Sequence, residues 1–143
     1  MRLYFDTSAV VPLYVPEPAS PRASERLRDA TTLFVSWLTE VEFRSALALK
    51  TQAKALEPDS AKRVLKTFQR HIDQRVYELL SVDREVFAQA AAWLERFDTP
   101  LRSLDALHLA CCQQAECVLV TLDEGLSRAA RHLGVPCDFL GAE

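Results

Sequence analysis

Cys117-Val118-Leu119-Val120-Thr121-Leu122 is a run without a charge, closed by Asp123 and Glu124. Nearly every position is apolar, so both faces of the extended chain must be covered. That pattern belongs to a strand inside a parallel sheet, where helices lie on both faces, and not to the alternation of a half-wet antiparallel strand. Four further runs read as strands on either side of it: Leu3–Phe5, Leu33–Ser36, Val76–Leu80 and Asp138–Leu140. Helical patterns fill the intervals. Arg22–Asp29 follows the turn-rich Pro16–Pro21. Glu40–Lys50 follows the second strand, and Ser60–Ile72 follows Glu57-Pro58-Asp59, which stops one helix and caps the next. Arg84–Phe97, Leu104–Gln114 and Glu124–Leu133 complete the set, with Gly134 as a C-cap residue. Strands alternating with helices predict an α/β fold, a central parallel sheet covered on both faces. Neither an internal repeat nor a linker divides the chain, so a single domain over residues 1–143 is expected.

The composition narrows the function classes. Apolar residues make up 49% of the 143, enough for one real core, and the net charge is −3. Proteins that hold nucleic acid by charge alone are usually basic. The balance therefore speaks against a stoichiometric coat or repressor, but not against an enzyme that brings cations to a short stretch of backbone. Asp6 interrupts the N-terminal apolar run where a signal peptide needs continuity, and no segment is apolar enough to cross a membrane. A cytoplasmic protein is expected. The cysteines, Cys111, Cys112, Cys117 and Cys137, show no CxxC spacing. Buried, reduced thiols fit them better than a zinc site.

Open parallel sheets bind ligands at the carboxyl ends of their strands. Asp6 stands there after the first strand, and Asp123 stands there after the fourth. Each has a bland explanation as a helix cap, although Thr7 and Ser8 beside Asp6 can cap in its place. Asp105 falls in the first turn of a helix that is apolar nearly all round, where a carboxylate is costly unless paired or bound to a cation. In the helix Thr39–Lys50, Phe43, Ala46, Leu47 and Leu49 form the apolar sector, and Glu42 falls inside it. Glu40 falls outside, beside Arg44. Asp59 and Asp83 read as caps, while Asp98 and Asp138 are undecided. Four acids near one end of one sheet would repel each other. A divalent cation removes that repulsion, and hard carboxylate oxygens suit Mg²⁺ or Mn²⁺. Such a site can activate water for in-line attack on phosphorus without a histidine base.

The same residues resemble the PIN-domain ribonucleases, and in particular the VapC-type toxins of prokaryotic toxin–antitoxin pairs. The resemblance runs from residue 1 to about 140. Tyr4-Phe5-Asp6-Thr7-Ser8-Ala9, Val41-Glu42-Phe43-Arg44-Ser45-Ala46-Leu47, Leu101-Arg102-Ser103-Leu104-Asp105-Ala106-Leu107-His108-Leu109-Ala110 and Val120-Thr121-Leu122-Asp123 carry it. It implies a three-layer α/β/α PIN-like domain and Mg²⁺- or Mn²⁺-dependent endonucleolytic cleavage of RNA. It also implies Asp6 and Asp105 as metal ligands, Glu42 and Asp123 completing the catalytic pocket, and Thr7, Ser8 and Thr121 hydrogen-bonding carboxylates or waters. A homodimer and a cognate VapB-type antitoxin follow from it as well.

Several residues carry lesser expectations. Arg44 and Arg102 either grip RNA phosphate or pair with a pocket acid. His108 reads as a packing residue, and His71 and His132 belong to no motif. Tyr4, Phe5, Trp37, Phe43 and Trp93 read as core. Leu27, Leu47, Leu65 and Phe68 are candidate dimer contacts. Two competing readings are a haloacid-dehalogenase-type phosphatase with Asp6 as nucleophile, and a module that binds RNA or protein without cutting. The first usually wants an aspartate two positions after the nucleophile, where Ser8 stands.

Overall fold

The computed structural model describes residues 1–141. Five strands, β1 (Arg2–Phe5), β2 (Thr32–Ser36), β3 (Glu78–Leu80), β4 (Val118–Thr121) and β5 (Cys137–Phe139), form one sheet in the order β3-β2-β1-β4-β5. Every pairing is parallel. The short α1 (Thr7–Val10) runs on into a 3-10 turn at Val11–Leu13. Then come α2 (Ser20–Arg28), α3 (Trp37–Gln52), α4 (Pro58–Asp73), α5 (Arg84–Leu94), α6 (Ser103–Gln114) and α7 (Glu124–His132).

Strand side chains alternate between faces, and the register shows where each goes. Tyr4 pairs with Phe34 on one side and Leu119 on the other. These three enter one apolar core, with Val86, Ala90 and Trp93 of α5, the apolar side of α6, and Leu126, Ala129 and Ala130 of α7. Leu3, Phe5, Leu33, Val35 and Val120 point to the opposite face. There they pack with Ala9 and Val10 of α1, Ala23 of α2, Phe43 and Leu47 of α3, and Phe68 of α4. The result is the expected three-layer α/β/α arrangement. The chain steps outward from β1 to β2 and β3, then returns to the other side of β1 for β4 and β5. The strand order therefore reverses between β1 and β4, and the carboxyl ends at such a switch point are where sheets of this kind bind ligands. No described helix is long and apolar enough to cross a membrane.

The structure departs from the sequence reading at element ends and on α3. The third strand is shorter than expected, because Val76 still belongs to the turn that closes α4: its amide donates to the His71 carbonyl, and Arg75 has φ of 58°. Helix α5 stops before Phe97, which is 92% exposed. Trp37 and Leu49, expected in the core, are exposed, while Tyr4, Phe5, Phe43 and Trp93 are buried. Leu47 and Phe68, candidate dimer contacts, are core residues, with Phe68 stacked on Phe43 at 4.2 Å between ring centroids. Leu27 and Leu65 are partly buried against the same core. All four cysteines are free; three are buried and Cys137 is half-buried. Asp98 accepts from Arg96 and His132, and Asp138 accepts from Arg26.

Candidate active site

Asp6 follows β1 directly, and its backbone amide continues the ladder by donating to the Val120 carbonyl at 3.2 Å. Its side chain lies at the carboxyl ends of β1 and β4, buried. Thr121 Oγ1 donates to Oδ2 at 2.7 Å, and Ser8 Oγ donates to Oδ1 at 2.6 Å. Asp6 also caps α1, accepting from the Ala9 amide at 3.2 Å. Capping was thus not left to its neighbours Thr7 and Ser8, because their hydroxyls are used elsewhere. Burial pushes the Asp6 carboxyl above its ordinary range; the His108 charge and the hydrogen bonds from Ser8, Thr121 and Ala9 pull the other way.

Asp123 comes to the same edge through β4. Its amide donates to Thr121 Oγ1 at 3.0 Å, so one hydroxyl ties Asp6 to the Asp123 backbone. Its carboxylate caps α7 through the Leu126 amide at 3.0 Å. Gly125 leaves room beside it: a Cβ there would lie 3.3 Å from Asp123 Oδ1. Asp105 sits in the first turn of α6, half-buried. Burial raises its pKa, the Asp123 charge raises it further, and Arg102 opposes both. Arg102 Nε lies 3.6 Å from Asp105 Oδ2, although the Arg102 side chain is 83% exposed.

Glu42 arrives from α3 and is half-buried, as its position on the helix predicts. Thr7 Oγ1 donates to its Oε1 at 2.9 Å. His108 Nε2 contacts the same oxygen. Burial works against the Glu42 charge, but the hydrogen bond and charge of His108, with the Thr7 hydroxyl, outweigh it and hold the carboxyl below its usual range.

These contacts bring Asp6 and Asp123 together through Thr121, Asp105 into electrostatic range of Asp123, and Glu42 beside Thr7, the residue after Asp6. Among the described residues no three Asp, Glu, His or Cys side chains converge into a ready-made cation cage. Arg44 does not pair with a pocket acid: it donates to the Glu40 carbonyl at 2.7 Å and to Gln69 Oε1 at 3.1 Å. His108 is more than packing. It is 3% exposed, and its Nδ1 lies 2.6 Å from the Tyr4 hydroxyl. A signal for this was present, since a histidine on the buried side of α6 needs polar partners. The partners themselves lie 66 and 104 residues away in sequence. His71 likewise meets Tyr14, whose hydroxyl also reaches Tyr77 at 2.6 Å.

A family model described as the PIN domain matches residues 3–132. Ribonuclease VapC35 of Mycobacterium tuberculosis is 34% identical over 140 residues, covering 93% of both chains. Among solved structures, the Mycobacterium tuberculosis toxin VapC20, described as cleaving the sarcin-ricin loop, superposes with a TM-score of 0.69 at 18% identity. That match covers 89% of this chain and 94% of the other. The DNA-bound VapBC of Salmonella typhimurium gives 0.70 at 18% identity, covering 98% of each. The structural matches establish the fold; the family model and the sequence relative establish membership. A PIN-domain model matched over residues 3–132 and a relative 34% identical over nearly the whole length place this chain in the PIN-domain family, among the relatives of the VapC ribonucleases.

Proposed function

We propose that this chain, acting as one nuclease domain over residues 1–143, is a Mg²⁺- or Mn²⁺-dependent endoribonuclease. In this reading it is the toxin of a VapBC-type toxin–antitoxin pair, working in the cytoplasm as a homodimer and held inactive by a cognate VapB-type antitoxin. The observation that carries the reading is Asp6: a buried carboxylate at the switch point, held on both oxygens, with Asp123 tied to it through Thr121 and Asp105 within reach of the Asp123 charge. The VapC ribonuclease relative and the VapBC neighbour support RNA as substrate and an antitoxin as partner.

The donor set fits a hard divalent cation. All four acids offer carboxylate oxygens, and burial makes their unbalanced charge costly. Asp6 and Asp105 hold the cation, with Glu42 and Asp123 completing the pocket. When bound, it lowers the pKa of a water and offsets charge at the scissile phosphate. The chain's own residues do the rest. Ser8 and Thr121 fix the two oxygens of Asp6, and Thr7 steadies Glu42. Arg102, mostly in solvent beside Asp105, grips the RNA backbone, since its guanidinium matches phosphate bidentately.

Purified protein incubated with total cellular RNA tests this reading. Cleavage is expected with Mg²⁺ or Mn²⁺, is lost in EDTA, and falls at least about 100-fold in Asp105→Asn and Asp6→Asn. Metal-dependent fragments that persist undiminished in both variants would remove the acids from the reaction.

A further inference from the structure

A chain of polar side chains runs from Glu42 back into the core. His108 Nε2 meets Glu42 Oε1, His108 Nδ1 lies 2.6 Å from the Tyr4 hydroxyl, and that hydroxyl lies 2.9 Å from Ser36 Oγ. It links α3, α6, β1 and the end of β2, and Tyr4 and Ser36 are wholly buried.

The chemistry of the ends sets the middle. A carboxylate only accepts, so His108 Nε2 carries the proton shared with Glu42. Burial keeps the Tyr4 hydroxyl neutral. With His108 neutral, Tyr4 donates to Nδ1; with His108 charged, Nδ1 donates to Tyr4, and Tyr4 donates to Ser36. Every polar atom stays satisfied in either case, so the ring is held at both nitrogens without a competing orientation. On the Glu42 side, His108 and Thr7 both bond Oε1, and Oε2 has no recorded hydrogen bond among the described residues. A leucine at position 108 would fill similar space without burying polar atoms. The network is therefore a costly solution to packing alone.

We propose that His108 is a positioning residue for RNA cleavage: it clamps Glu42 through Oε1, with Tyr4 and Ser36 bracing the ring, so that Oε2 is presented in fixed geometry to the attacking water. This rests on Glu42 belonging to the catalytic pocket, and the test separates the two.

The full chain is compared as wild type, Glu42→Gln, His108→Leu, His108→Gln and Tyr4→Phe. Cleavage kinetics are measured on one RNA substrate with Mn²⁺, and ¹⁵N-histidine NMR is recorded on metal-free protein. His108→Leu is expected to lower kcat about 10–100-fold with KM little changed, as for outer groups that orient a site. His108→Gln is expected to recover at least tenfold of that loss, because its amide places a donor near Nε2. Tyr4→Phe is expected to lower kcat about threefold or more and to shift the His108 Nδ1 resonance. A slowly exchanging Nε2 proton is expected in wild type, and its absence overturns the clamp. If Glu42→Gln loses cleavage while His108→Leu stays within twofold of wild type, the clamp is overturned and the pocket stands. If Glu42→Gln cleaves normally, both fall. Should His108→Leu fail to fold, Tyr4→Phe decides, and wild-type kcat there overturns the proposal.

Discussion

Asp6 and Asp123 each cap a helix at the sheet edge where the proposed pocket lies, and this is why neither role could be settled from sequence. The cap reading and the functional reading call for the same residue type at the same strand end. What was legible was location, since both follow a strand that ends at the same sheet edge. What was not legible was the work of the hydroxyls. Ser8, two residues on, and Thr121, 115 residues away, both bind Asp6, and Thr7 binds Glu42. His108 was read only as apolar-face filling because its partners come from two other elements. Asp105 offers a test of charge alone. Its folded-state pKa is raised, chiefly by burial and then by Asp123. The folded state then holds its proton more tightly than the unfolded state, so Asp105 favours folding at low pH and loses that contribution as pH rises through its folded pKa. Glu42, with its lowered pKa, works in the opposite sense. Comparing Asp105→Asn with wild type isolates the first effect. In EDTA the variant is expected to lose less Tm between pH 4 and 7 and to melt roughly 2 °C higher at neutral pH, the shift that about half a kcal/mol gives at this size. Saturating Mn²⁺ is expected to raise the wild-type Tm more than the variant's. A variant that melts lower in EDTA at neutral pH would make Asp105 structural.

At the scale of elements, α3 shows both the reach and the limit of periodicity. The spacing correctly placed Phe43 and Leu47 inward, while Glu42, expected inside the same sector, is half-buried. It failed for Leu49, which is 64% exposed, and for Trp37. A helix bound mainly along one narrow stripe leaves apolar side chains outside it, and sequence hydrophobicity does not distinguish the stripe from its flank. The stripe is anchored by α4. Phe43 and Phe68 stack between the two helices, and Tyr14 meets both edge-on. Phe68 is fully buried, so Phe68→Ala is expected to cost about 3–5 kcal/mol in urea unfolding. A loss below about 1 kcal/mol would mean that α4 does not hold α3 in place.

At the scale of the molecule, the covered parallel sheet was legible because β1, β2 and β4 are apolar on both faces, and a strand of that kind needs two helical layers. The order β3-β2-β1-β4-β5 was not, because nothing in a strand's own residues names its neighbour. That order makes β1 the centre, with β4 pairing to it from residues 118–121. A chain ending at Gln114 keeps β1 but uncovers one whole edge of it, together with Leu3 and Phe5, and loses α7 from the core. It is expected to show no cooperative thermal transition by circular dichroism; a sharp one would mean that the first four-fifths of the chain fold alone. The same order has a consequence for synthesis. Asp6 leaves the ribosome 115 residues before Thr121, which holds it, with Asp123 just after. Parallel pairing across so long a loop is slow to form. A nascent chain therefore carries Asp6 without its Thr121 partner while that whole stretch is made, and the edge of β1 that meets β4 closes only after β4 has emerged.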